Sequence, residues 1–390
     1  MPDAARAPSL TATVLALGTA QIISWGTLFY TIAVLGTAMR EATGVGEFAL
    51  YGSYSVGLIV SGLVAPAIGR NIDARGGRAV LSIGSIVAAL ACVALATVQG
   101  PISLLAAWLV AGVAMACTLY DPAFAALHRI AGTSYRRSVT LLTLLGGFAS
   151  TAFWPLSQWL LDAYGMRTAF MVYAALHLCI CLPLHLGFLR KDEVRAVLPR
   201  DTTPPVQRPG RAYMWLAGAL AFASFAASAL SAHMIGLLTS AGLTAREAVL
   251  IGALIGPAQV AGRLMEFAVA RRVSPITTGA IAFATLAMSL GLFAMLDGRF
   301  ALAVLFVVLY GWSNGVMTIV RGTVPAELFG SLNYGALLGR LAQPQFIARA
   351  IAPAALAVLL IADPSRRVAL AGLAAGGLLA FVAYRRAVAK

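Results

Sequence analysis

The sequence predicts an all-α integral membrane protein with twelve transmembrane helices in two related six-helix bundles, and three observations predict it. Of 390 residues, 60% are hydrophobic and only 11% charged, and the mean hydropathy of +0.87 lies far outside the range of soluble domains. Apolar stretches of about 20 residues, long enough to cross a hydrocarbon core of roughly 30 Å as a helix, recur along the whole chain. Landmarks in the first half also return in the second at offsets of 193 to 200 residues.

In order, the first helix (11–39) runs to Arg40, and the second (48–69) to the basic turn holding Arg70, Arg75 and Arg78. The third (79–98) and fourth (102–127) lead to Arg129, Arg136 and Arg137; the fifth (138–161) stops ahead of Arg167, and the sixth (168–189) at Arg190. The seventh (213–240) precedes Arg246, the eighth (247–262) meets Arg263, Arg271 and Arg272, and the ninth (274–295) ends before Arg299. The tenth (301–325), eleventh (335–361) and twelfth (368–384) complete the set, with Arg366 and Arg367 between the last two. Residues 190–212 are the one long polar stretch, rich in Pro and charge, and read as a solvated linker. The expected organisation is an N-terminal bundle over 1–189, the linker, and a C-terminal bundle over 213–390.

A net charge of +14 would suggest nucleic acid in a soluble chain, but its distribution decides otherwise. Assigning alternate loops to one side puts nineteen Lys and Arg there against six opposite. Such positive-inside bias predicts that both termini and the linker are cytoplasmic, in a cell inner membrane. The first helix lacks a small-residue cleavage site ahead of polar sequence and reads as retained. Cys92, Cys117, Cys179 and Cys181 fall inside helices, so neither a disulfide framework nor a metal site is expected.

The end of helix 2, Gly69-Arg70-Asn71-Ile72-Asp73, compares with Gly262-Arg263-Leu264-Met265-Glu266 at the end of helix 8, and Arg78 with Arg271. Tyr135 and Tyr334 repeat at 199 residues. Duplicated halves with a substrate site at their interface are characteristic of secondary transporters. The run from Gly69 through Asp73 to Gly76-Gly77-Arg78 resembles the helix 2–3 loop of the major facilitator superfamily, G-x-x-x-D-x-x-G-R-R, with Ala74 where a basic residue is usual. Within it, the aromatic first helix (Trp25, Phe29, Tyr30) and a basic residue in mid helix 11 look most like the monocarboxylate and oxalate/formate group.

The resemblance implies that Asp73 faces the start of helix 11, with Arg340 as a partner, and that Glu266 faces the start of helix 5 near Arg136 and Arg137. Arg70, Arg78, Arg263 and Arg137 join these as gating residues, or serve as ordinary interfacial charges. It also implies that helices 1, 4, 7 and 10 line a central cavity.

Ionisable groups at membrane depth are costly, so each is a site hypothesis. Arg349 lies about 20 Å along helix 11 at 1.5 Å per residue, too deep to snorkel, and its guanidinium can take a carboxylate bidentately. Gln345 sits one turn earlier. Asp121 and Arg321 hold nearly equivalent places in helices 4 and 10, with Asn314 on the Arg321 stripe. Two readings compete: Arg321 binds substrate while Asp121 takes a coupling proton, or the two form an ion pair. His233 on helix 7 is a second candidate for proton coupling, able to titrate near physiological pH, or else a hydrogen-bonded packing residue; His177 and His185 on helix 6 are set aside. Trp25 and Tyr30 are candidate pocket walls. Gly52, Gly57, Ser61 and Gly62 instead suggest close helix packing.

No phosphate-cradling loop, nucleotide domain or metal-spaced cluster occurs, so neither a cofactor nor ATP-driven work is expected, and no nucleophile and base at recognisable spacing suggest an enzyme. Three deep arginines against one deep carboxylate favour a secondary transporter of a small organic anion, a carboxylate, by symport or exchange. Proton-coupled efflux of amphipathic compounds is the alternative, and a transporter-like sensor that binds without flux is another. The expected partners are the anionic substrate and the lipid bilayer, with a monomeric protein and no nucleic acid.

Overall fold

The computed structural model describes residues 8–189, 210–330, 332–363 and 365–389; the expected linker lies, through residue 209, outside the described residues. Among the described residues there are helices and no strands. They are α1 (Leu10–Ser24), α2 (Ile32–Thr43), α3 (Glu47–Arg75), α4 (Gly77–Ala96), α5 (Pro101–Thr118), α6 (Tyr120–Ala131), α7 (Tyr135–Gly146), α8 (Ala149–Leu176) and α9 (Leu182–Phe188). After the linker come α10 (Arg211–Ser240), α11 (Ala245–Ala253), α12 (Ile255–Val269), α13 (Pro275–Ala294), α14 (Phe300–Phe329), α15 (Tyr334–Ala362) and α16 (Arg367–Val388).

Among the described residues, ten helical runs are long and apolar enough to cross a membrane. One of them, Pro101–Phe188, is broken at Gly132–Ser134 and again at Gly165, whose φ of 79° lies in the left-handed region that glycine tolerates. These breaks divide it into three lengths. Local chemistry starts several helices: the Ser9 hydroxyl accepts from the Ala12 N–H, the Ser274 hydroxyl from Thr277, and Thr244 and Glu247 form a reciprocal capping box.

The chain forms two compact units, Met1–Pro199 with Ser331–Gln343, and Arg200–Gly330 with Pro344–Lys390. α15 therefore gives its first turns to one unit and the remainder to the other. In the first unit α3 and α4 pack on α5; in the second α12 and α13 pack on α14, and α13 also on α16. Each unit brings a helix pair with the same place in its half to backbone contact in the same way. A Cβ on Gly57 would stand 2.6 Å from the Trp108 carbonyl oxygen, and one on Gly112 2.2 Å from that of Gly57. In the second unit a Cβ on Gly262 would stand 2.6 Å from the Trp312 carbonyl, and one on Gly315 2.3 Å from that of Gln259. In lipid, where apolar contact alone does not drive helices together, such close approach supplies the van der Waals contact that does.

Because those obstacles are backbone atoms, Gly112→Val should overpack the α3–α5 contact at a cost of about 1–3 kcal/mol. The thermal unfolding midpoint in detergent should fall for Gly112→Val and stay unchanged for Gly187→Ala, where a Cβ meets open space. Equal midpoints would mean the helices can spread.

Candidate functional site

Helix 4 is discontinuous at the place the sequence marks as chemical. α5 ends at Thr118, Leu119 is extended (φ −77°, ψ −165°), and α6 restarts at Tyr120. The cause is Pro122: it has no N–H, so the Thr118 carbonyl four residues back loses its helical donor. The fully buried Gln21 of α1 takes that carbonyl instead, its Nε2 donating at 2.7 Å. Gln21 Oε1 in turn accepts from Trp25 Nε1 at 3.1 Å. Trp25 opens a π-helical turn, closed by the Tyr30 N–H donating to the Trp25 carbonyl at 2.9 Å, and its ring packs 4.9 Å from Tyr120. Asp121 is thereby held in the first turn of α6 with 7% of its surface exposed, at the end of a helix that favours a negative charge. Trp25 is 6% exposed with its indole N–H committed to Gln21, and Tyr30 is half-buried beside it, rings 5.9 Å apart.

Also in the first unit, Asp73 meets the start of α15. Its Oδ1 accepts from the Gly335 N–H at 2.8 Å and its Oδ2 from the Ala336 N–H at 2.7 Å. Both are helix-start donors without an intrahelical acceptor, so the carboxylate caps the helix and faces its positive end. The helix end itself thus fills the place anticipated for Arg340, which is half-buried two turns from the start of α15. Approach is this close because a Cβ on Gly335 would lie 2.5 Å from the Gly69 carbonyl oxygen. Arg129 fastens the same turn, donating to the Asp73 carbonyl at 2.6 Å. Beside it, the two tyrosines that repeat in sequence share a hydrogen bond, Tyr135 Oη to Tyr334 Oη at 3.0 Å, and His128 stacks on Tyr334 with ring centres 4.0 Å apart. Arg70 and Arg137 are exposed and Arg78 half-buried. In the second unit Glu266 is 2% and Arg263 5% exposed, and Arg263 reaches Gln259 Oε1 at 3.4 Å.

The second unit repairs its own proline break. Pro353 cannot donate to the Arg349 carbonyl, and the Ser228 hydroxyl of α10 donates there at 2.8 Å. One turn earlier Ser224 Oγ donates to Gln345 Oε1 at 3.3 Å; one turn later His233 Nε2 lies 2.9 Å from the Pro353 carbonyl. A carbonyl only accepts, so Nε2 carries the hydrogen. The partners advance together along both helices, so α10 and α15 run parallel. Arg349 is half-buried with its guanidinium 5.5 Å from the Phe346 ring centre. Arg321 on α14 is 6% exposed, and Asn314, two turns earlier, is half-buried. His177 and His185, set aside from sequence, are fully buried against Thr27 Oγ1 (2.8 Å) and Ser85 Oγ (2.9 Å).

Sequence reasoning passed over Gln21, Ser224 and Ser228, although a signal was present. Arg321, Arg340 and Arg349 each stand four residues ahead of a proline (Pro325, Pro344, Pro353), so each arginine's own carbonyl loses its helical donor.

A family model for the Major Facilitator Superfamily matches residues 17–353. An uncharacterized 38 kDa protein of the 23S RNA operon of Thermoproteus tenax is 26% identical over 301 residues, 77% of this chain and 76% of that one. Monocarboxylate transporter 13 of Rattus norvegicus is 29% identical over 287 residues, 71% of this chain and 65% of that one, just under two thirds of its length. Among solved structures, the human organic anion transporter MFSD10 superposes with a TM-score of 0.75 at 15% identity, covering 97% of this chain and all of that one. FucP in its outward conformation gives 0.71 at 15% identity, covering 96% and 98%. A bacterial homologue of the iron transporter ferroportin, in an outward-facing state, gives 0.75 at 16% identity, covering 98% and 100%. At these identities the likeness shows the fold.

Removing a donor from a repaired carbonyl strands a buried acceptor, which costs about 1–3 kcal/mol. Gln21→Leu and Ser228→Ala should each destabilise the protein by that amount, read as a lower thermal unfolding midpoint in detergent, with Ser228→Thr retaining most of the stability. Wild-type midpoints in both would show that other groups take over the carbonyls.

Proposed function

Because this chain belongs to the Major Facilitator Superfamily, we propose that it is a secondary transporter moving a small organic anion, a carboxylate, by alternating access with proton symport or anion exchange. The carrying observation is the pair of guanidiniums in the second unit, Arg321 buried on α14 and Arg349 half-buried on α15. A cation at membrane depth is expensive, and a negative ligand compensates it. In this reading Arg349, with Gln345, receives the carboxylate, Arg321 with Asn314 adds charge and polarity, Trp25 and Tyr30 form apolar wall, and Asp121 exchanges the coupling proton.

Two relatives lend support from outside: the rat protein is named a monocarboxylate transporter and the human structure an organic anion transporter. The charge bias of the loops supports an inner-membrane protein with both termini cytoplasmic. Asp73 is read as a latch, holding the start of α15 in one stage of the cycle and releasing it in another, with Glu266 and Arg263 as its counterpart in the repeat. Buried Asp121 also suits a second reading, proton-coupled export of amphipathic compounds.

Uptake of labelled carboxylates into proteoliposomes, with and without a pH gradient, separates these readings. Flux of a carboxylate supports the first; extrusion of dyes with no carboxylate flux supports the second, and binding with no flux at all indicates a sensor. Arg349→Gln should abolish uptake, whereas Arg349→Lys keeps part of it as a point charge; wild-type flux in the Gln variant removes Arg349 from the site. Asp73→Ala should insert normally yet carry substrate at a reduced rate, and unaltered kinetics would count against the latch.

A further inference from the structure

The turn between α15 and α16 is built against two ordinary preferences. Arg366 adopts φ 61°, ψ 3°, a left-handed conformation that residues with a Cβ rarely take. It also caps the start of α16, a position that favours Ser, Thr, Asp, Asn or Gly and disfavours added positive charge. Asp363 holds it there. Its Oδ1 accepts from the Ser365 N–H (3.0 Å) and hydroxyl (2.5 Å), its Oδ2 accepts from the Val368 N–H (2.8 Å), and its carbonyl takes the Arg366 N–H at 2.9 Å. The Ser365 hydroxyl, then the Val368 N–H, keep the Asp363 carboxyl below the usual carboxylate range. Backbone strain maintained by a dedicated network is a mark of function.

The strained residue lines a cavity in the second unit. This cavity of about 360 Å³ is lined by Ala232, His233, Gly236, Leu237, Leu360 and Arg366. Among the described residues that line it are a permanent cation, Arg366, and the His233 imidazole. With Nε2–H engaged by the Pro353 carbonyl, Nδ1 is the ring nitrogen of His233 left to meet a ligand.

We propose that this cavity is a second binding site, distinct from Arg321 and Arg349, for a small carboxylate that bears a hydroxyl group. The guanidinium takes the carboxylate through two parallel N–H···O bonds, and Nδ1 accepts the hydroxyl hydrogen. Its volume is within the range of small-molecule sites. By the charge bias of the loops this turn lies opposite the basic face, where the site would gather anions before they reach α14 and α15. The ligand class rests on the anion reading above; the location does not.

The test is equilibrium binding of radiolabelled glycolate and acetate, equal in charge and differing in the hydroxyl, to the full-length protein in lipid nanodiscs. In an Arg349→Gln background, glycolate binding should persist and exceed acetate binding. Adding Arg366→Gln should weaken it about tenfold or more, the value of a lost charge-assisted pair. Arg366→Gly, which relaxes the left-handed backbone while removing the charge, should do the same, and His233→Ala should bring the glycolate-to-acetate ratio towards one. Undiminished binding in both Arg366 variants overturns the proposal. So does complete loss of binding in Arg349→Gln alone, an outcome that leaves the transport reading standing. Conversely, wild-type carboxylate uptake by Arg349→Gln together with lost binding in Arg366→Gln would remove Arg349 from the transport site and keep this one.

Discussion

Inside a bilayer a backbone carbonyl or N–H without a partner has no water to turn to, and this obligation governs how the chain is built. Most groups meet it within their own helix. Pro122 and Pro353 each strand a carbonyl, and the repair comes from another helix: Gln21 for Thr118 and Ser228 for Arg349. The start of α15 presents the converse problem, donors without acceptors, and the Asp73 carboxylate answers two of them. These three repairs tie α1 to α5, α10 to α15, and α3 to the first turn of α15.

Two of the repairs lie beside Asp121 and Arg349. Asp121 comes three residues after the carbonyl that Gln21 receives, and Arg349 is itself the residue whose carbonyl Ser228 receives. A proline break both opens the helix, giving an ionisable side chain room, and creates a polar backbone group that a neighbouring helix can hold. The position of the charge therefore depends on contacts between helices, and any shift of α1 against α5, or of α10 against α15, carries the charge along. Transport proteins place substrate and ion sites at such discontinuous helices for the same reason.

Much of this was legible in the residues. Hydropathy set out the long apolar helices. The resemblance carried by the motif from Gly69 to Arg78 put Asp73 at the start of helix 11, where its carboxylate lies. The details that were not legible share a cause. Arg340 was anticipated as the partner of Asp73, but backbone N–H groups do not show in a motif, and they take both oxygens. Gln21 and Ser228 look like unremarkable polar residues until the proline four positions beyond each orphaned carbonyl is noticed. The break at Leu119 and the π-turn at Trp25 interrupt runs that hydropathy treats as continuous.

By itself, then, the sequence determined a multi-pass membrane protein and the order and approximate span of its helices. These follow from transfer energetics and side-chain spacing along one chain. Tertiary structure alone decided which carbonyl each proline left bare and which side chain received it, and which nitrogen of His233 carries the hydrogen. It alone placed Arg366 and His233 in one cavity. Those outcomes depend on helices 97 to 133 residues apart coming within hydrogen-bond reach or lining a common space, and no periodicity along the chain records which pairs will do so.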